Sequence, residues 1–284
     1  FNLYKSFVGW KVATFTKVAR DFGLRRSKGV LLLGAPGTGK SLCAKATATA
    51  LKLPLLRADI GALYGSFVGD SERNTREMIK MAEAMSPVVL WIDEIDKTMG
   101  SATAAGLTSD VTQRVIGTIL TWRQESTAPV FVVATANRLD KLDPALMRPG
   151  RFDAVFWVDL PGKEERADIF KIHLRKKRRE KLPWVTAKAL TELAARSDGY
   201  SGAEIAEAVE EGLLEAFHRS GSVDRELAMR DIMLALTRSK PLSVTAEKEL
   251  AAMREWLADK CRPVSSEGLL FEPPAAGERR RTVG

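Results

Sequence analysis

The chain has 284 residues, 45% hydrophobic and 28% charged, the balance of a globular protein with one large core and room for a smaller second unit. No apolar run approaches the length of a membrane span, and Cys43 and Cys261 supply neither a disulfide framework nor a metal-ligand spacing, which favours a reducing compartment. The formal charge of +8 leaves room for an acidic or nucleic-acid partner.

In chain order, the first strong element is Gly29-Val30-Leu31-Leu32-Leu33, a continuous apolar run that reads as a fully buried strand. It passes into Gly34-Ala35-Pro36-Gly37-Thr38-Gly39-Lys40-Ser41, and an Ala-rich helical stretch follows from Leu42 to Leu51. A glycine-rich turn between strand and helix makes a phosphate cradle. Its glycines let backbone N–H groups face an anion, and the helix adds the positive end of its dipole; Lys40 reaches the β- and γ-phosphates while the Ser41 hydroxyl serves Mg²⁺. The turn predicts nucleoside triphosphate binding through Gly34, Pro36, Gly37, Thr38, Gly39, Lys40, Ser41 and Leu42.

Four more apolar runs alternate with helical stretches: Leu53 to Arg57, Val88 to Ile92, Val130 to Val133 and Val155 to Val158. This pattern predicts an α/β fold with a five-stranded parallel sheet covered on both faces, and ligands at the carboxyl ends of its strands. Asp93 and Glu94 end the third run. Asp93 is placed to organise Mg²⁺ through its waters, and Glu94 to polarise a hydrolytic water. Asn137 ends the fourth run, where a neutral amide can donate to a γ-phosphate and accept from that water.

From Pro161 the apolar spacing becomes helical, in Ala167–Leu174, Ala187–Ala195, Ala203–Phe217 and Glu226–Leu236, so a small helical unit follows the sheet. Thr245 to Cys261 predicts a last helix with Thr245 as its N-cap. Beyond Pro263 the chain turns to Pro, Gly, Ser and charge, which reads as a tail. Much of the positive charge sits in Lys171, Arg175, Lys176, Lys177, Arg178, Arg179 and Lys181. That run reads as a helix C-terminus whose cations complement the dipole, with no aromatic interleaving for base stacking.

The stretch that starts at Asn137 and continues through Leu142-Asp143-Pro144-Ala145-Leu146-Met147-Arg148-Pro149-Gly150-Arg151-Phe152-Asp153 resembles the AAA family in the narrow sense, within the larger AAA+ group. The resemblance extends over about Gly29 to Lys240. It implies ATP and Mg²⁺, a large α/β domain at 29–160 and a helical lid domain at 161–262. Residues 1–28 form a lead-in shorter than the family's usual one, and 263–284 a disordered tail.

By that resemblance Asn137 is the sensor-1 residue, and Arg148 and Arg151 match the arginine fingers that act on a neighbouring subunit's nucleotide. Ser66 to Glu72 matches the first pore loop, where Phe67 and Val68 would grip a polypeptide; Gly100 to Asp110 lies where a second would be. Gly199 to Glu204 matches the start of a lid helix, with Gly202 and Ala203 near adenine and ribose. Ala203 stands where many AAA+ proteins carry an arginine, so the trans arginines carry more weight. Ala82 to Lys97 and Phe131 to Asn137 look like hypothetical plastid and cyanobacterial reading-frame proteins of this family.

The function so implied is an ATP-hydrolysing homo-oligomeric ring, hexameric, that threads or remodels a protein substrate. The alternatives are a nucleic-acid-directed AAA+ ATPase and a nucleotide-gated assembly scaffold, the latter disfavoured by the intact set of Asp93, Glu94, Arg148 and Arg151. Phe1 is not an initiator methionine, so the compartment reads as cytoplasm or, after removal of a leader, plastid stroma or organelle matrix.

Overall fold

The computed structural model describes residues 1–60, 70–96, 107–138, 142, 144–148, 150–177, 179–220, 226–257 and 260–266. Helix α1 (Asn2–Val12) and the short α2 (Lys17–Asp21) lead into β1 (Gly29–Leu33) and α3 (Lys40–Leu51). Then come β2 (Leu55–Asp59), α4 (Asp70–Ala84), β3 (Val88–Asp93), α5 (Leu107–Glu125), β4 (Val130–Ala136) and β5 (Ala154–Trp157). The strands form one parallel sheet in the order β2-β3-β4-β1-β5-β6, with β6 at Arg262–Pro263.

Because side chains alternate across a strand, the apolar runs divide between two cores. Leu31, Leu33, Val88, Leu90, Ile92, Val132 and Ala134 face α4 and α5, which contribute Ile79, Ala82, Val115 and Ile116. Val30, Leu32, Val89, Trp91, Phe131 and Val133 face the side that holds Cys43, Ala44 and Ala48 of α3 and Tyr4 and Val8 of α1. Tyr4 fixes α1 in place. Its hydroxyl lies 2.6 Å from Thr47 Oγ1 in α3, and its ring meets Phe156 of β5 edge-on at 5.1 Å.

A helical unit follows, made of α6 (Lys163–Lys176), α7 (Ala187–Arg196), α8 (Gly202–Ser220) and α9 (Met229–Arg238). Phe170, Leu174, Leu193, Ile205 and Ile232 close its separate core. The basic run falls at the end of α6. Arg175 and Lys176 lie in its last turn, where the dipole favours cations, and Lys177 pairs with Glu210 of α8.

Three details differ from the sequence reading. The sheet has six strands rather than five: β6 is only two residues long and pairs with β5 through backbone bonds, so no apolar run announces it. The helical unit also ends before residue 262. After the short α10 (Leu242–Thr245), α11 (Glu247–Leu257) buries Leu257 in the sheet's own core, and Arg254 grips Asp159 with bonds of 2.9 and 3.0 Å. Val264 is buried between α1 and β5, accepting from Tyr4 N and donating to Trp157 O, so the tail does not begin at 263. Residues 267–284 lie outside the described residues.

Candidate active site

The carboxyl ends of β1, β3 and β4 are neighbours in the sheet, and everything that follows them converges there. Beyond Leu33 the chain turns through Gly34, where an added Cβ would lie 2.3 Å from Val158 O; Gly37 and Gly39 then adopt φ of +77° and +103°. The loop is therefore written in glycine for steric reasons. Thr38 Oγ1 donates to Ala35 O at 2.8 Å and pins the turn from inside. Ser41 and Leu42, in the first turn of α3, are exposed, while Lys40 is buried with its Nζ donating to Gly34 O at 2.7 Å and Ala35 O at 2.6 Å.

Burial pushes the Lys40 amine down to about 8, and the acids Asp96, Glu94 and Asp93 pull in the opposite direction. The sign matters for ligand binding. In the ligand-free protein the amine loses its proton as pH rises through about 8, whereas the unfolded chain holds it to about 10.5; the fold thus gains relative stability over that interval. A polyphosphate bound against this amine would restore the cation, so ATP binding at pH 8.5 is expected to take up roughly half a proton or more, vanishing below about pH 7. Calorimetry in two buffers of different ionisation enthalpy checks this; equal heats at pH 8.5 would refute it.

The acidic pair at the end of β3 is held by β4. Asp93 Oδ1 accepts from Thr135 Oγ1 at 2.8 Å, and that same hydroxyl oxygen accepts from Glu94 N at 2.9 Å. Glu94 has a φ of +52°, a left-handed conformation that costs a residue with a Cβ about 1 kcal/mol or more. Asn137 Nδ2 donates to Glu94 Oε1 at 3.1 Å. The backbone N–H groups of Asn137 and Arg138 both donate to Asp96 Oδ2, at 3.0 and 2.8 Å. Asp96 is 2% exposed, and burial raises its pKa against the pull of those bonds and of Lys40.

The helical unit reaches the same loop. Ala203 N, at the start of α8, donates to Gly37 O at 3.2 Å, and a Cβ on Gly37 would come within 2.9 Å of Ala203 Cβ. Ser201 and Glu204 cap this helix reciprocally, Ser201 N donating to Glu204 Oε2 at 2.7 Å and Glu204 N to Ser201 Oγ at 3.3 Å. Gly202 and Ala203 therefore stand over the glycine-rich turn.

Arg148 and Arg151 lie elsewhere. They precede β5, whose first residue Ala154 is in register with Val30, so they sit at the amino-terminal edge of the sheet while Lys40 follows its carboxyl edge. Asp153 Oδ2 accepts from Lys28 N at 2.8 Å and Gly29 N at 3.1 Å, and Lys28 Nζ donates to Gly150 O at 2.8 Å, which fixes this segment to the start of β1. The span of β1 is about 13 Å, and it separates the backbone of this segment from the chain's own glycine-rich loop. Arg148 is exposed; Arg151 Nη1 is enclosed without a hydrogen-bond partner among the described residues. Phe67, Val68 and residues 100–106 lie outside the described residues.

Three residues at the site escape the sequence reading. Thr135 has a signal, a lone hydroxyl in an otherwise apolar strand; Asp96 has one too, a second acid two residues after Glu94. Arg57 has none, because its contact with Asp93 depends on which strand lies beside β3: Arg57 Nη2 is 2.8 Å from Asp93 Oδ2.

A parallel sheet with a glycine-rich turn after β1, an acidic pair after β3 and a helical cover on the turn defines a P-loop nucleotide-binding domain with a lid. The chain belongs to the AAA family: the model for the ATPase family associated with various cellular activities (AAA) matches residues 30–160, and that for the AAA+ lid domain matches 189–241. It is 46% identical over 257 residues to the uncharacterized AAA domain-containing protein ycf46 of Guillardia theta, covering 90% of this chain and 49% of that one. The cell division cycle protein 48 homolog of Archaeoglobus fulgidus is 40% identical over 193 residues, covering 67% of this chain and 26% of that protein. The crystal structure of the FIGL-1 AAA domain in complex with ADP shares the fold, with a TM-score of 0.71, 23% identity, and coverage of 88% of this chain and 86% of that one. The chain spans about half the length of the ycf46 relatives it matches. Among the described residues, no helix is long and apolar enough to cross a membrane.

Proposed function

We propose that the chain is the motor part of a homo-oligomeric ring, hexameric by analogy with AAA relatives, that hydrolyses Mg-ATP at subunit boundaries and uses the energy to thread or remodel a protein substrate. One observation carries the reading: Arg148 and Arg151 stand at the opposite edge of the sheet from Lys40, so the charge they offer is useful only to another subunit's nucleotide. The loop Gly34 to Ser41, with Leu42 behind it, takes the phosphates, and Gly202 and Ala203 close over the base and sugar. Glu94 accepts the proton of the attacking water as the bond from γ-phosphorus to the bridging oxygen breaks, with Asn137 orienting the carboxylate. A carboxylate and a hydroxyl beside a phosphate cradle fit Mg²⁺, which binds through one or two protein oxygens plus the substrate's phosphates. Ser41 and Asp93 would hold it, and it would supply charge shielding of the phosphates.

Phe67 and Val68 are the residues we assign to grip the polypeptide. In a Glu94→Gln background with ATP, an unfolded model protein is expected to co-sediment with the ring, and Phe67→Ala is expected to lower that retention about tenfold or more while leaving ATP binding intact. Retention unaffected by Phe67→Ala, or a strictly monomeric protein with full ATP turnover, would remove the reading. Salt-sensitive binding of single- or double-stranded nucleic acid with stimulated turnover would instead favour the nucleic-acid-directed alternative.

A further inference from the structure

Arg57 lies on β2 directly opposite Trp91 of β3, and from there reaches diagonally to the acid two residues further on. Its guanidinium stands 4.7 Å from the Trp91 ring centroid, and Nη2 is 2.8 Å from Asp93 Oδ2. Trp91 is 4% exposed and packs in the core shared with α3, so the stack has a rigid floor on the face of the sheet that carries the phosphate loop. Asp93 is largely shielded, with one oxygen on Thr135 and the other on Arg57, whereas the Arg57 side chain is 58% exposed. A solvated, permanently charged guanidinium on the one acid assigned to the metal contributes little to stability, and a neutral donor would satisfy the same oxygen.

We propose that Arg57 is the resident counter-cation of the metal site: it neutralises Asp93 before nucleotide arrives, must share that carboxylate with the incoming Mg²⁺, and thereby sets how much Mg²⁺ the site requires. The inference rests on the proposed role of Asp93 toward Mg-ATP and adds to it a regulator in the chain itself. Its basis is charge: a fixed positive group at hydrogen-bond distance from the carboxylate opposes a divalent cation drawn to the same oxygens. Geometry alone makes the opposite prediction, because an arginine that merely aims the carboxylate would help the metal.

The test uses the whole chain carrying Glu94→Gln, a fluorescent ATP analogue and a Mg²⁺ titration at constant ionic strength, read by anisotropy. Arg57→Gln keeps a donor and removes the charge; the Mg²⁺ concentration for half-maximal binding is expected to fall about three- to tenfold. Arg57→Ala is expected to behave like Arg57→Gln, and Arg57→Lys, which keeps the charge, like the parent. Thermal melting of each variant confirms folding. A half-saturation point that is unchanged or raised in Arg57→Gln overturns the proposal. If the parent itself shows no Mg²⁺-dependent nucleotide binding, the assignment of Asp93 has failed, and that result is distinct from failure of the Arg57 proposal.

Discussion

Glu94→Gln is expected to bind ATP about as tightly as the parent chain and to release phosphate at least about 100-fold more slowly. The substitution keeps the side chain's size, and the backbone placement comes from elsewhere: the Glu94 N–H bond to Thr135 and the positive φ do not depend on the carboxylate. What disappears is the proton acceptor. Asn137 Nδ2 donates to Glu94 Oε1, and glutamine puts an amide nitrogen, which donates instead of accepting, in place of one carboxylate oxygen. Phosphate release measured beside analogue anisotropy separates the two effects. Retained turnover would show that the base is another group, and lost binding would mean that the variant disturbs the Lys40 loop.

Arg148→Ala is expected to lower turnover by about 10³-fold or more while nucleotide affinity changes little, the magnitude guanidinium groups supply when charge spreads over a transferring phosphoryl group. The decisive arm is a mixture with Lys40→Ala protein, each inactive alone. In a random mixture about a quarter of the interfaces bring an intact Lys40 site against an intact Arg148, and activity should return at those boundaries. A mixture as inactive as its parts would place the arginine's work within its own subunit, and the span of β1 would then need another explanation. Arg151→Ala has a less clean readout, since Arg151 is half-buried and its removal disturbs packing as well as charge.

The parts of the site that sequence makes legible are those encoded over a few consecutive residues. Gly34 to Ser41 is such a part: steric demands at Gly34, Gly37 and Gly39 force the composition of the turn, so its spacing carries its geometry. Asp93, Glu94 and Asn137 are readable because a polar residue ending an apolar run must lie at a strand tip, where a parallel sheet presents its ligands. Thr135, Asp96 and Arg57 are harder because their partners come from adjacent strands. Only the order β2-β3-β4 puts Arg57 on Asp93 and Thr135 beneath Glu94. The same applies to the last part of the described chain: α11 carries an ordinary helical pattern, and nothing local says that Leu257 docks under the sheet rather than into the helical unit.

Strand β1 ties the chain's two functional ends together. At one end Asp153 and Gly150 clamp the arginine segment to Lys28 and Gly29; at the other, Leu33 passes without interruption into the loop that holds Lys40. All five of its residues are buried, and both flanking strands are bonded to it, so it behaves as a stiff rod. In the proposed ring, a push at the loop when a nucleotide binds or leaves would be carried along this strand to the segment that bears the arginines. Each subunit would inform its neighbour of its own state by displacement, with no separate hinge required to carry the message around the circle.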